Sequence, residues 1–172
     1  MSLPVGMRSA YERGRLRDAL NSTLPLLALP IVGIALSRCA LGAVAVGVVL
    51  VLGFVLARWR GQSWSQGAVV GAIAGAIAAA APIGLALDGA GCVGPACPSW
   101  CARVCCAAGL IAGVILGFRA RDLRALATGT LVAATAAALG CWPMGLAMVG
   151  SAAGAIVFGA LGGRFGRYTL GG

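Results

Sequence analysis

Long runs of Ala, Gly, Val, Ile and Leu, interrupted by few charges, are the feature that most constrains the fold of this chain. Hydrophobic residues make up 60% of the 172 residues and charged residues 10%, and the mean hydropathy is +0.99. One small soluble core cannot bury so much apolar surface. The runs also lack the alternation of apolar and polar residues that the strands of a membrane barrel require. The sequence therefore predicts an integral membrane protein built of helices.

The apolar runs predict an all-α fold, a polytopic membrane helix bundle of about six short transmembrane helices arranged as three hairpins. Each span needs about 20 apolar residues, so the length leaves no room for a sizeable soluble domain. The predicted bundle covers residues 20–163, with spans near 20–36, 40–57, 67–87, 104–118, 126–140 and 145–161. The remaining predicted segments are a basic cytoplasmic amphipathic segment over 1–19, a cysteine-rich external loop over 88–103 and a cytoplasmic tail over 164–172.

The positions of the arginines predict the orientation of these spans. With a cytoplasmic N-terminus, eleven arginines lie inside and only Arg38 and Arg103 lie on the external face. An excess of basic residues in cytoplasmic segments is the general rule for such proteins. The same orientation puts all seven cysteines at the external face, which is oxidising in a bacterial inner membrane. The sequence therefore predicts a multi-pass protein of the bacterial inner membrane with both termini inside.

The N-terminal segment is the one extended polar stretch, and it is strongly basic. Ser9 and Glu12 have the spacing of a capping box, which favours a short helix. Two interpretations stay open, in which the segment rests on anionic lipid headgroups or docks a cytoplasmic partner. The candidate partner-binding residues are Arg8, Tyr11, Arg13, Arg15 and Arg17. Because the other arginines are scattered between apolar runs, nucleic acid is not a predicted partner.

Five of the seven cysteines lie in the stretch 88–106, between two apolar runs. Three interpretations stay open: structural disulfides that pin the external loops, a sensor of redox state or soft metal, and a transport or catalytic thiol. The candidate sensing residues are Cys92, Cys97, Cys101, Cys105, Cys106 and Cys141. Vicinal Cys105 and Cys106 are the candidate metal ligands, and a soft ion such as Cu(I) or Hg(II) is the only cofactor considered.

The chain contains no His, and no acidic residue falls in the middle of an apolar run. The absence of His excludes imidazole catalysis and His-ligated zinc. The absence of acids in the spans argues against a proton-coupled pump. No catalytic residue is predicted, and we do not expect an enzyme.

Glycines recur at every fourth position in two predicted spans and form faces on which another helix can approach closely. The candidate helix-packing residues are Gly67, Gly71, Gly75, Gly109, Gly113 and Gly117. Cys101 and Cys105 continue the second row at the same spacing, so thiols and packing surface share one side of that helix. Faces of this kind also allow a homo-oligomer in the lipid bilayer.

Six short spans, a basic cytoplasmic N-terminal segment and external cysteines resemble the polytopic integral-membrane anti-sigma factors that hold extracytoplasmic-function sigma factors inactive. In that family a Cys-Pro element lies between the last two spans, and the final helix runs into a small-residue and Arg tail. Here Cys141-Trp142-Pro143 and the stretch 162–167 occupy those places. The resemblance implies that external metal or oxidant acts on cysteines, Cys141 among them, and that the N-terminal segment releases a sigma factor.

A second resemblance is to small mercury-type importers, which combine a vicinal cysteine pair with apolar spans, as Cys105 and Cys106 do here. The preferred hypothesis is an inner-membrane signalling protein that senses redox state or soft metal through external cysteines and regulates a cytoplasmic partner through residues 1–22. Under the first resemblance that partner is a sigma factor, and the output is regulation of transcription. The alternatives are a soft-metal transporter and a structural membrane protein with disulfide-pinned loops.

Overall fold

The computed structural model describes residues 5–36, 40–87, 98–142 and 146–170, and these are almost entirely α-helical. A 3-10 turn, Leu24–Leu27, separates the first two α-helices. The helices are α1 (Val5–Thr23), α2 (Ala28–Leu36), α3 (Ala40–Arg60), α4 (Gln62–Leu87), α5 (Pro98–Arg119), α6 (Leu123–Cys141) and α7 (Leu146–Leu170). The prediction of an all-α fold is confirmed for the described residues.

Five of these helices are long and apolar enough to cross a membrane. They are α3 to α7, and the segments that meet the criterion are Leu41–Arg60, Ser63–Ala81, Ala102–Arg119, Leu123–Cys141 and Leu146–Thr169. Side chains such as Leu41, Leu131 and Phe158 point outward and are largely exposed, as expected for helices that face lipid. The chain is therefore a membrane protein with at least this set of candidate spans.

The predicted first span, 20–36, is divided in the structure. Helix α1 continues to Thr23, the 3-10 turn contains Pro25, and α2 has nine residues. Proline lacks the backbone N–H that an α-helix needs at its interior, so the helix changes character at this point. This segment is not among the five long apolar helices.

Two other boundaries differ from the predicted ones. Helix α5 begins at Pro98, inside the predicted external loop, since proline is favoured in the first turn of a helix. Helix α7 continues through the predicted tail to Leu170, and Arg164 and Tyr168 stack one turn apart on it. Both spans are therefore longer as helices than their apolar runs suggested.

Helices α4 and α6 form a parallel pair in direct backbone contact. A Cβ atom placed on Gly67, Gly71 or Gly75 would collide with α6, at positions that advance from Ala125 to Ala133 along the helix. Because the contact positions rise together in both helices, the two run in the same direction. The absence of side chains lets the backbones touch, which gives close van der Waals packing without a hydrophobic driving force.

Helices α5 and α7 form a second parallel pair of the same kind. A Cβ on Gly109, Gly113 or Gly117 would meet α7 at positions that advance from Ala152 to Ala160. The two pairs pack side by side, α4 against α5 and α6 against α7, and we call the four helices the glycine-packed bundle. Its buried core consists mainly of alanines, with Leu116 and Ile156 as the largest fully buried aliphatic side chains.

Helices α1 to α3 form a layer on one side of this bundle, which we call the N-terminal layer. Helix α3 contacts α4 and α6, and α1 and α2 lie against α3. A second buried cluster joins the layer to the bundle through large side chains, Leu26, Leu50 and Phe54 among them. Pro30 of α2 packs on Gly47 of α3.

The arginines collect at one end of the molecule, which we call the basic end. Arg58 pairs with Asp18 at 3.2 Å, and Arg167 of α7 donates a hydrogen bond to the carbonyl of Ala120, just after α5, at 2.9 Å. The residues of this end include Arg58, Arg60, Arg119, Arg121, Arg124, Arg164 and Arg167. The chain reverses between α3 and α4 at Gly61, whose φ of +132° is open only to glycine.

Candidate functional site: a buried thiol pair

Two cysteines meet in the interior at the end of the molecule opposite the basic end. The Sγ atoms of Cys105 on α5 and Cys141 at the end of α6 lie 3.2 Å apart, and either thiol can donate the hydrogen bond between them. Their exposed fractions are 2% and 1%, and both thiols are free. The pair links α5 to α6, two helices that otherwise pack mainly on other partners.

The hairpin between α5 and α6 explains why these two residues meet. The turn is tight, since α5 ends at Arg119 and α6 begins at Leu123. Cys105 and Cys141 lie equally far in sequence from Leu123, so they reach the same depth on antiparallel neighbours. This mirror spacing about the turn was the signal in the sequence that could have identified the pair.

The surroundings of the pair are apolar. Ala74 and Ala78 of α4, Ala112 of α5 and Ile156 of α7 belong to the same buried cluster as the two cysteines. The alanines of α4 and α5 and Ile156 of α7 belong to this closely packed interior. Among the described residues, the buried ones that are polar or charged are Thr23 and Thr128, and neither carries a charge.

Neighbouring residues connect this site to the surface and to α3. Cys106, adjacent in sequence to Cys105, is half-buried and free. Trp142, directly after Cys141, is half-buried, and its ring lies where a side chain on Gly42 of α3 would be. A displacement of the end of α6 would therefore move the Trp142 ring against α3 of the N-terminal layer.

Several predicted sensing residues fall outside this description. Cys92 and Cys97 lie outside the described residues, as does most of the predicted loop 88–103. Cys101 lies within the helical range of α5, but its side chain is not among those described. Of the six candidates, the structure brings together Cys105 and Cys141, with Cys106 beside them.

A metal site with several ligands is not found among the described residues. Within the ranges 5–36, 40–87, 98–142 and 146–170, no three Cys, Asp or Glu side chains are placed to hold one ion. The vicinal pair predicted as metal ligands, Cys105 and Cys106, diverges, since Cys105 is buried against α6 and Cys106 is half-buried. Cys105 and Cys141 are two potential ligands that the described part of the structure does bring together.

The predicted partner-binding segment lies at the basic end. Arg8 and Tyr11 belong to α1, although their side chains are not among those described, and Arg13 and Arg17 are exposed. Arg15 donates a hydrogen bond to the carbonyl of Trp59 on α3 at 2.6 Å. This bond and the Arg58–Asp18 pair hold the end of α1 against α3.

The six predicted helix-packing glycines lie in the two parallel contacts of the bundle, three in each. Gly129, Gly140, Gly159 and Gly163, on the partner helices, take part in the same contacts and were not selected from the sequence. Gly159 and Gly163 also lie four residues apart, whereas Gly129 and Gly140 do not. Gly150 and Gly154, which do have that spacing, contact nothing within 4 Å at their Cβ positions.

Comparison of the chain with protein-family models, with curated proteins and with solved structures finds no match. Function is therefore inferred from two features of the molecule itself. These are the buried thiol pair at one end and the basic end with its docked helix α1 at the other.

Proposed function

We propose that this protein is a redox-sensing signalling protein of the bacterial inner membrane, and that Cys105 and Cys141 are its sensing thiols. The observation that carries the proposal is the Sγ–Sγ distance of 3.2 Å between the neighbouring helices α5 and α6. Two thiols held this close can form one disulfide without refolding of the chain. The bond would tie the α4–α6 pair to the α5–α7 pair.

The oxidant in this proposal is a small uncharged peroxide, which can enter an apolar interior. One cysteine sulfur attacks the O–O bond, giving a sulfenic acid and one molecule of water from hydrogen peroxide. The sulfur of the second cysteine then attacks the sulfenic sulfur, and a second water leaves as the disulfide forms. In total the two thiols lose two electrons and two protons, and the peroxide is reduced to two waters.

The distance favours a disulfide over a bridging metal. The sulfurs have to close from 3.2 Å to about 2.05 Å for a disulfide. A linear bridge with metal–sulfur bonds like those of zinc, about 2.3 Å each, would instead hold the sulfurs about 4.6 Å apart. Redox state is therefore the proposed signal, and soft metal is the less favoured one.

The signal would travel along α6 to the basic end. Helix α6 lies in backbone contact with α4 and also contacts α3, and α3 holds α1 through Arg58 and the carbonyl of Trp59. Packed helices in backbone contact move as units, so a shift of α6 changes the surface on which α1 rests. Asp18 of α1 is largely exposed to solvent, so its ion pair with Arg58 of α3 is weak and easily broken.

The proposed topology has six spans as three hairpins, with the segment formed by the end of α1, the 3-10 turn and α2 as the first. The basic end would then face the cytoplasm, in agreement with the positive-inside rule, and the thiol pair would lie near the external face. Helix α1 is the proposed docking segment for a sigma factor, through Arg13 and Arg17 together with the predicted contacts of Arg8 and Tyr11.

The experiment captures the tagged full-length chain from its own membranes before and after a pulse of hydrogen peroxide. We expect a bound sigma factor before the pulse, its release afterwards, and a Cys105–Cys141 disulfide in peptide mapping without reductant. Cys105→Ser and Cys141→Ser should block both changes, and Cys106→Ser is the matched control that keeps them. Release that persists in Cys105→Ser would overturn the sensing role of the pair.

A soft-metal transporter is the second candidate, favoured by the series of thiols from half-buried Cys106 to buried Cys105 and Cys141. Such a series could pass a soft ion from one sulfur to the next. Metal accumulation in cells that depends on Cys106 would support it. Accumulation that is unchanged in Cys106→Ser and Cys105→Ser would reject it.

A further inference from the structure

A cleft opens on the side of the molecule between the N-terminal layer and the glycine-packed bundle. Its volume is about 580 Å³, and its walls are almost entirely apolar. The 3-10 turn with Pro25, Phe54 of α3, and Val69, Ile73 and Ala76 of α4 line it. Ile73 is 59% exposed, so the cleft opens toward the lipid-facing surface.

The proline in the 3-10 turn accounts for the opening. Helix α1 packs on α3 near the basic end, and after the turn α2 packs mainly on α3 and α6. The change of direction leaves Val69 and Ile73 of α4 exposed, and the face of α4 from Val69 to Ala76 covers a rise of about 10 Å.

One charged side chain lines the cleft, Arg58, at its end toward the basic end. Its guanidinium donates to Ser65 at 2.8 Å and to Asp18 at 3.2 Å. A guanidinium carries five N–H donors, so further donors remain for another acceptor. Arg60, two residues further along, does not line the cleft and lies over the ring of Trp64 instead.

We infer that this cleft binds one acyl chain of an anionic phospholipid whose phosphate is held by Arg58. The apolar walls, the opening toward lipid and the depth along α4 fit an acyl chain, and the remaining N–H donors of Arg58 at the mouth fit an anionic phosphate. Basic pockets between membrane helices on the cytoplasmic side bind anionic headgroups by this chemistry. Occupation places the lipid phosphate beside the Arg58–Asp18 pair that holds α1, where it competes with the Asp18 carboxylate for Arg58.

The proposal separates this site from the thiol pair, which lies at the other end of the bundle. It requires neither oxidation of Cys105 nor a sigma factor. Lipid binding would therefore stand if the redox proposal failed, and the reverse also holds.

The experiment is native mass spectrometry of the full-length chain, released from mixed vesicles of phosphatidylglycerol and phosphatidylcholine with identical acyl chains. We expect one retained phosphatidylglycerol. Loss of a charge-assisted hydrogen bond in Arg58→Gln should reduce its retention about tenfold. Arg60→Gln, which removes an exposed arginine that stacks on Trp64, is the matched control and should keep it.

A second pair of variants tests the acyl chain separately from the charge. Ala76→Phe fills the cleft and should abolish retention, while Ile77→Phe, on the neighbouring exposed position that does not line the cleft, should not. This pair decides the proposal even if Arg58→Gln yields no folded protein. Equal retention of the two lipids, equal retention in Ala76→Phe and Ile77→Phe, or retention of a neutral lipid-soluble molecule in place of phospholipid would overturn it.

Discussion

The glycine-packed bundle and the N-terminal layer pack against each other and are built by different means. In the bundle, backbones of parallel helices touch through Gly71, Gly113 and their neighbours, and the core consists mainly of alanine. In the layer, larger side chains such as Phe54 make the contact, and two clefts of about 580 and 480 Å³ open beside α1 and α3. A groove in the bundle, between α6 and α7, is smaller, at about 360 Å³.

This difference assigns separate roles to the two regions. Close backbone contact has few alternative arrangements, so the bundle suits a site that needs sulfur atoms at a fixed separation. Contact through side chains and exposed ion pairs allows many alternative arrangements, so the layer suits the helix that docks and releases in the proposed function. The following changes, in order of decreasing effect, test whether the contrast is real.

The largest effect is expected from a side chain forced into a backbone contact of the bundle. In Gly113→Leu the new side chain meets the carbonyl of Ile156 and the backbone of Gly159, so we expect a loss of about 3 kcal/mol or more in unfolding free energy. Gly53→Leu on α3 is the control, because no atom lies within 4 Å of its Cβ position, and its change should stay within about 0.5 kcal/mol. Thermal unfolding in detergent measures both, and equal losses would contradict the contrast.

Oxidation of the thiol pair should stabilise the bundle by a comparable amount in the opposite direction. A disulfide between Cys105 and Cys141 closes a long loop, worth about 3 kcal/mol in the chain-entropy account. We expect the midpoint of thermal unfolding to rise after peroxide treatment and to fall back on reduction. Cys106→Ser should keep this rise and Cys141→Ser should lose it; a rise in both would assign the effect to other thiols.

A smaller effect is expected at the basic end of the bundle. Arg167 donates to the carbonyls of Ala120 at 2.9 Å and Phe118 at 3.4 Å, which joins the end of α7 to the end of α5. Arg167→Gln should cost about 1 kcal/mol of unfolding free energy, the usual value for one such bond. The control is Arg121→Gln, which removes an exposed arginine from the turn between α5 and α6. An equal loss of unfolding free energy there would show that net charge, and not the hydrogen bonds of Arg167, is the cause.

The smallest effect on stability is expected in the N-terminal layer, where the change should instead appear in the hydrogen exchange of α1. Asp18 is 78% exposed at its side chain, so its pair with Arg58 contributes well under 1 kcal/mol, and salt weakens it. Asp18→Asn should leave the unfolding midpoint nearly unchanged while hydrogen exchange in α1 speeds up and exchange in α6 does not. Glu12→Gln on the same helix is the control, and faster exchange in α6 would show that layer and bundle are not separate.

Much of the fold follows from the sequence, because glycines at every fourth position and apolar runs are local signals. They predicted the helices α3 to α7 and two of the packing faces, those of Gly67 and Gly109 with their repeats. They did not predict which helices meet, since one face of small residues fits another of the same kind equally well. Pro25 is a local signal for the division of the first span, but the helices on which α2 packs, mainly α3 and α6, are a non-local choice.

The candidate site was predictable in part. Cys105 and Cys141 were both selected from the sequence, as members of a larger set, for their place at one membrane face. Their pairing depends on the depth at which α5 and α6 sit against each other, which the short turn before Leu123 sets. The cleft beside Arg58 could not be predicted, because it arises from three helices that do not fill the space between them.

Parallel packing of α4 with α6 and of α5 with α7 has a consequence for biosynthesis. The two helices of each pair are separated in the chain by one entire helix. Their contact therefore cannot form when the first helix of the pair enters the membrane. The glycine face of α5 stays uncovered until α7 has been synthesised. A chain truncated before α7 would expose this glycine face to lipid, and we expect cellular quality control to recognise and degrade it.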